Sequence, residues 1–351
     1  MPAPPGQPAR EVARTRVAVT GSSGLIGSAL VASLQADGCD VIRLVRRQAV
    51  PLEAHAGPSG PQARPSPGEG TPADAGGGVS VWDPGRPDGG LDTAAMAGVT
   101  AVVHLAGAGI GDRRWTDARK AEIYGSRVKG TRSLADGLAR LPEPPAALLC
   151  ASAIGWYGDT HGQDVDESAP PGSGFLAGLV RDWEAAADPA RSAGIRTVHM
   201  RSGLVLAPHG GTLAKMLPVF RLGLGARLGP GTQYMSWISL ADEIGAIRFL
   251  LDRPDVAGPV NLTSPHPVTN AEFTAALDVT LGRPKVLRLP VPGLRLPSTA
   301  VGVPTQALRL ALGELAGELL ASARVLPHRL TGAGYRFTHP FIVPALTDAL
   351  G

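Results

Sequence analysis

Three glycines in the stretch "VTGSSGLIG", Gly21, Gly24 and Gly27, stand at the spacing Gly-x-x-Gly-x-x-Gly. They follow a short apolar run, "RVAVT", and open an apolar-periodic segment, "LIGSALVASLQADG". That order predicts a strand, a tight turn and a helix closing at Gly38. Glycine lets such a turn approach a pyrophosphate closely, and the free N–H groups of the helix start face it with a partial positive charge. A chain with 46 glycines produces chance matches, but the strand–loop–helix setting points to dinucleotide binding. The next strand, "CDVIRLV", runs into Arg46 and Arg47 with no carboxylate at its end. An NAD site usually places an acidic residue there to accept from ribose hydroxyls. A guanidinium suits a 2′-phosphate instead, so NADP(H) is favoured over NAD(H). The alternative is a pair of solvated surface arginines.

The elements that must position these groups alternate along the chain. After the first strand–helix–strand unit come "TAVVHLAG", a long helix from Trp115 to Leu141, "AALLCAS", the segment "GFLAGLVRDWEAAA" and "IRTVHMRSGLVL". Strand and helix alternating to about residue 207 predict an α/β domain on a parallel sheet over 15–207. Residues 1–14 are Pro-rich and read as a frayed tail. Residues 48–78, rich in Pro, Gly, Ala and Ser with no apolar period, read as a disordered insertion in a surface loop. Beyond 207 the pattern loosens, with one helical stretch from Gln306 to Ala323, and residues 208–351 are expected to form a smaller substrate-side lobe.

Composition narrows the function classes. A net charge of +3 over 351 residues, with no dense basic run, implies neither a nucleic-acid nor a membrane partner. No apolar run approaches a membrane span, and the first ten residues have no apolar leader region. The expected setting is the cytoplasm, with a small-molecule substrate; the sequence does not define the oligomeric state. Two cysteines, Cys39 and Cys150, sit in apolar strands as free thiols, and eight histidines show no zinc spacing, so no metal is expected. His104, inside an apolar strand, reads as a satisfied core residue.

The motifs "TGSSGLIG", "VVHLAGAGI", "SAIGWYGD" and "DESAPP" occur in an order that resembles the extended short-chain dehydrogenase/reductases. With "RRWTDARKAEIYGSRVKGT", "GFLAGLVRDWEAAA", "RSGLVLAPHGG" and "GTQYMSWISLADE", the chain is similar to one atypical subgroup, the NAD-dependent epimerase/dehydratase family with a C-terminal domain of unknown function. The resemblance implies a Rossmann-type doubly wound parallel sheet with a smaller C-terminal α/β lobe. It implies a cofactor along Gly21, Ser23, Gly24, Leu25, Ile26 and Gly27, with Leu105, Ala106 and Gly107 on the nicotinamide-ribose side. It also implies NAD(P)-dependent oxidoreductase or epimerase chemistry, in which a tyrosine moves the proton and a lysine four residues on lowers its pKa.

This chain departs from the family there. Tyr124, Tyr157, Tyr234 and Tyr335 are followed four residues on by Val128, His161, Ile238 and His339, so no Tyr-x-x-x-Lys exists. The catalytic candidates that remain are Ser152, near the family's serine, and Tyr157, which could equally be packing or substrate-lining. Candidate substrate-lining residues are Arg113, Trp115, Arg201, Gln233, Ser236 and Trp237. Arg127 reads either as a neighbour of cofactor or acidic substrate, or as part of a solvated helix face. Glu184 reads as a partner of Arg181, a cap or a buried general base. Asp242 reads as a helix cap, and Ser239 stands where the subgroup usually has histidine. Two functions stay open: a reductase or epimerase on a small polar substrate, or an NADP(H)-binding sensor or interaction partner without turnover.

Overall fold

The computed structural model describes residues 15–46, 78–86, 89–222, 225–282 and 302–351, with the backbone of 287–288 and 295–296. The tail 1–14, nearly all of the insertion 48–78, and Arg47 lie outside the described residues. Seven strands form one sheet: β1 (Arg16–Thr20), β2 (Asp40–Arg46), β3 (Val79–Trp82), β4 (Ala101–His104), β5 (Ala147–Ala153), β6 (Arg196–Ser202) and β7 (Gly258–Leu262). Every pairing is parallel, and the spatial order is 7-6-5-4-1-2-3. The order reverses between β1 and β4, which in a doubly wound sheet opens a ligand crevice at the carboxyl ends of those strands.

The helices that matter for the site are α1 (Leu25–Ala36), α2 (Asp117–Tyr124), α3 (Gly130–Ala139) and α4 (Phe175–Ala185). Four more follow: α5 (Gly211–Arg221), α6 (Leu240–Leu251), α7 (Asn270–Thr280) and α8 (Ile342–Leu350). Side chains alternate across the sheet with the period of the pleat. Val17, Val19, Val103 and Leu149 pack with α1 and α6 on one face. Ala18, Val102 and Leu148 pack with Leu134 and Leu138 of α3 on the other. Continuous apolar runs such as "AVVH", buried at every position, are what a strand covered on both faces requires.

The expected boundary at 207 is corrected by the sheet. β7 comes from beyond it and pairs with β6 from Gly258↔Val198 to Leu262↔Ser202. α6 also belongs to this layer, packing beside α1. The remaining lobe gathers Leu213, Leu217, Phe220, Trp237, Phe273, Leu277 and Leu346 into a separate cluster. The long helix expected from Trp115 to Leu141 runs without a break from Asp117 to Ala139, as α2, a π-helical turn over Gly125–Lys129, and α3. The stretch Gln306–Ala323, by contrast, is broken at Gly313 into Thr305–Leu312 and Leu315–Leu320.

Candidate functional site

The glycine loop is pressed against the end of β4. Gly21 has φ +66°, and a Cβ there would lie 2.7 Å from the Leu105 carbonyl carbon and 2.9 Å from Ala106 N. A Cβ on Gly27 would overlap the Gly21 carbonyl oxygen. Gly24 starts α1 with no side chain capping the helix, so the first N–H groups keep capacity for an anion. Ser23 and Gly24 are exposed there, Leu25 and Ile26 half-buried. These residues fit a dinucleotide pyrophosphate. Arg46 is exposed at the end of β2, where its charge is felt by His104.

His104 ties the ends of β1 and β4 together. Its Nδ1 lies 2.7 Å from Thr20 Oγ1 and its Nε2 lies 3.0 Å from Thr131 Oγ1. Thr20 Oγ1 already accepts from Leu105 N and Ala106 N, so its own proton goes to Nδ1, and Nε2–H donates to Thr131. Burial, with Arg46 adding repulsion, pushes the imidazole down to about 3 and keeps it neutral. The reading of His104 as a satisfied core residue holds.

Beyond Gly107 the loop is held peptide by peptide. Arg127 Nη1 donates to Ala108 O at 2.8 Å, Arg119 to Gly109 O, Trp115 Nε1 to Ile110 O at 3.0 Å, and Lys215 Nζ to Gly111 O at 2.7 Å. Ser126 Oγ also accepts from Ala108 N at 3.1 Å. Residues 126 and 127 both reach Ala108 because the π turn devotes an extra residue to this face. Arg127 is 8% exposed, which corrects the solvated-face alternative.

The other sequence candidates meet in a closed network at the ends of β5 and β6. Ser152 Oγ donates to Glu184 Oε1 at 2.6 Å. Arg201 grips both oxygens of Glu184, Nε and Nη2 each at 2.8 Å, and its Nη1 donates to Tyr157 OH at 3.0 Å. Tyr157 OH donates to Asn261 Oδ1 at 2.7 Å. The Trp156 ring covers the Arg201 guanidinium at 3.9 Å. Tyr157 is 4% exposed and Arg201 2% exposed. Burial raises the Tyr157 pKa despite its arginine neighbour. Glu184 therefore partners Arg201 rather than Arg181. Asn261 was missed, 104 residues from Tyr157 in sequence. The charges of Glu184 and Arg201 inside apolar runs were the available signal, since buried ions need partners.

Several expected lining residues serve the fold instead. Trp237 has no exposed surface, and its indole donates to His266 O at 3.1 Å. Ser236 Oγ donates to Ala323 O and accepts from Val325 N, fastening the C-terminal segment. Gln233 is buried, with Nε2 on Leu228 O. Trp115 is buried against the edge of Phe175 at 5.1 Å and packs with Ile123 and Leu179. Those four side chains are buried in the fold, whereas Arg113 is exposed. Phe175 and Leu179 of "GFLAGLVRDWEAAA" are thus built into an apolar cluster. Tyr124 OH donates to Asp182 Oδ2 at 3.1 Å. Ser239, not Asp242, caps α6; Asp242 accepts from Thr338 N and His339 N and holds the C-terminal segment.

No helix among the described residues is long and apolar enough to cross a membrane. Residues 17–262 match the NAD dependent epimerase/dehydratase family and 303–349 match a domain of unknown function, DUF1731. The chain is 43% identical over 337 residues to the epimerase family protein MT2273 of Mycobacterium tuberculosis, covering 95% of this chain and 97% of that one. The crystal structure of human epimerase family protein SDR39U1 (isoform 2) with NADPH superposes with a TM-score of 0.74 at 30% identity, covering 95% of this chain and 99% of that one. A nucleoside-diphosphate sugar epimerase from Corynebacterium glutamicum gives 0.68 at 31%, covering 96% and 58%. A pressed glycine loop, a doubly wound sheet and these matches along nearly the whole chain agree: the protein belongs to the NAD dependent epimerase/dehydratase family, among its atypical short-chain dehydrogenase/reductases.

Proposed function

We propose that the chain is an NADP(H)-dependent oxidoreductase or epimerase that acts on a small polar molecule without a Tyr-x-x-x-Lys pair. The observation that carries this reading is the glycine loop pressed on β4 beside a strand, β2, that ends in arginine rather than a carboxylate. NADPH in the human relative's structure supports the same preference. The nicotinamide supplies hydride transfer when bound. The Gly21–Gly27 loop receives the pyrophosphate, Arg46 the 2′-phosphate, and Leu105–Gly107 flank the nicotinamide ribose. Tyr157 and Ser152 offer hydroxyl protons at the ends of β5 and β6. The free thiols of Cys39 and Cys150 suit a reducing compartment such as the cytoplasm.

A second reading, a cofactor-binding sensor, draws on a specific observation. The hydroxyl protons of Ser152, Tyr157 and Tyr124 are each committed to an internal acceptor. Titration with NADPH and NADH tests the cofactor: NADPH binds more tightly, and Arg46→Ala weakens it roughly tenfold more than NADH. Equal losses would remove the 2′-phosphate role. NADPH oxidation by a carbonyl panel, abolished by Tyr157→Phe, supports the enzyme; a tight complex with no turnover across the panel supports the sensor.

A further inference from the structure

We propose that Arg127 is a second anchor for the cofactor, pairing its guanidinium with the pyrophosphate opposite the glycine loop. The proposal rests on the reading of this site as an NADP(H) site. Arg127 is buried, yet among the described residues no carboxylate pairs with it, and its Nε has no hydrogen-bond partner. Only Nη1 is used, on the Ala108 and Ile123 carbonyls. Burial, aided by repulsion from Arg119, lowers its pKa to about 10, the opposite of what an internal ion pair would do.

A buried cation without an anion costs stability, and it persists where a ligand supplies the missing charge. Its surroundings place that ligand. One side of the guanidinium is covered by the Trp183 ring at 5.1 Å. Gly107 also lies against it, where a Cβ would stand 3.3 Å from Arg127 Cζ. Gly107 is one residue beyond Ala106, whose backbone N a Cβ on Gly21 would meet at 2.9 Å. Arg127 and the first glycine of the loop therefore flank the same end of β4. The loop offers neutral N–H donors to a dianionic group, and Arg127 brings a full charge. The π turn that aims it belongs to a class of distortion frequent at ligand sites.

The test uses the full-length chain, Arg127→Gln and Arg127→Lys, with NADPH and with adenosine 2′-monophosphate, which carries the 2′-phosphate but neither phosphate of the pyrophosphate nor the nicotinamide half. Arg127→Gln is expected to weaken NADPH at least tenfold and adenosine 2′-monophosphate less than threefold, with Arg127→Lys between. Without ligand, Arg127→Gln melts at or above the wild-type temperature, because an uncompensated charge is gone; with saturating NADPH its gain in melting temperature is smaller. Unchanged NADPH affinity overturns the proposal while leaving the cofactor site standing. Equal losses for both ligands overturn it as well, since they report a general change of charge. If the wild-type chain binds neither NADPH nor NADH, the cofactor reading and this proposal fall together.

Discussion

The ends of β1 and β4 and the ends of β5 and β6 lie along one edge of one sheet, yet they treat polar groups in opposite ways. Around β5 and β6, Ser152, Glu184, Arg201, Tyr157 and Asn261 satisfy one another over 2.6–3.0 Å. Around β1 and β4, α1 begins without a capping side chain and Arg127 keeps an unpaired Nε. Buried donors without partners are costly in folded chains, and the one on Arg127 lies where we propose that a ligand finishes the bonding. The closed network joins α4, β6 and β7 and holds the hydroxyls of Ser152 and Tyr157 that we propose for proton transfer. On the same proposal, the cofactor is captured at the other region.

Three substitutions would break or sharpen this contrast. Glu184→Ala strands the Arg201 guanidinium and is expected to cost about 3–5 kcal/mol in chemical denaturation. Replacing Glu184 and Arg201 together with methionine should recover most of that; a single-mutant loss below about 1 kcal/mol would mean the network is not closed. Gly27→Ala pushes a methyl into the Gly21 carbonyl and is expected to cost about 3 kcal/mol, with NADPH affinity falling in parallel. Retained affinity with a normal melt would show that the loop is less tightly pressed.

The third expectation uses pH, because the two regions titrate in opposite senses. His104, held near 3 against an ordinary 6.5, binds its proton more weakly when folded. Its contribution is present above pH 6.5 and lost as pH falls toward 3. Glu243, on the β6 side with Ser202 Oγ at 2.6 Å, is pushed by burial up to about 7 from 4.5. Its contribution is present below pH 4.5 and lost as pH rises through 7. The two slopes oppose between 4.5 and 6.5, and only that of His104 survives below. In His104→Gln, the stability lost between pH 4.5 and 3.5 should shrink by about 1.4 kcal/mol relative to wild type. An unchanged acid slope would remove His104 as its source.

What could be read from sequence was local, and what could not was assembled from distant residues. Gly21, Gly24 and Gly27 with the flanking strand and helix form one uninterrupted stretch, Arg16 to Ala36, so their geometry follows from backbone rules. Glu184 and Arg201 are 17 residues apart and Tyr157 and Asn261 are 104 apart, and no spacing rule joins them. Trp237, Ser236 and Gln233 looked like ligand contacts because they are polar or aromatic beside turns. Packing consumed them: Ser236 holds the segment Ala323–Val325, more than 80 residues away. Arg127 was ambiguous because its burial depends on a π turn that no helical periodicity reveals.

The loop after Gly107 carries one further consequence. Four consecutive carbonyls, from Ala108 to Gly111, are each held by a different side chain, and Lys215 reaches its carbonyl from α5. Peptide planes fixed in series have little freedom left to lose when a ligand arrives. A molecule entering beside this wall would meet peptide planes already fixed, so little loop-ordering entropy would oppose its capture.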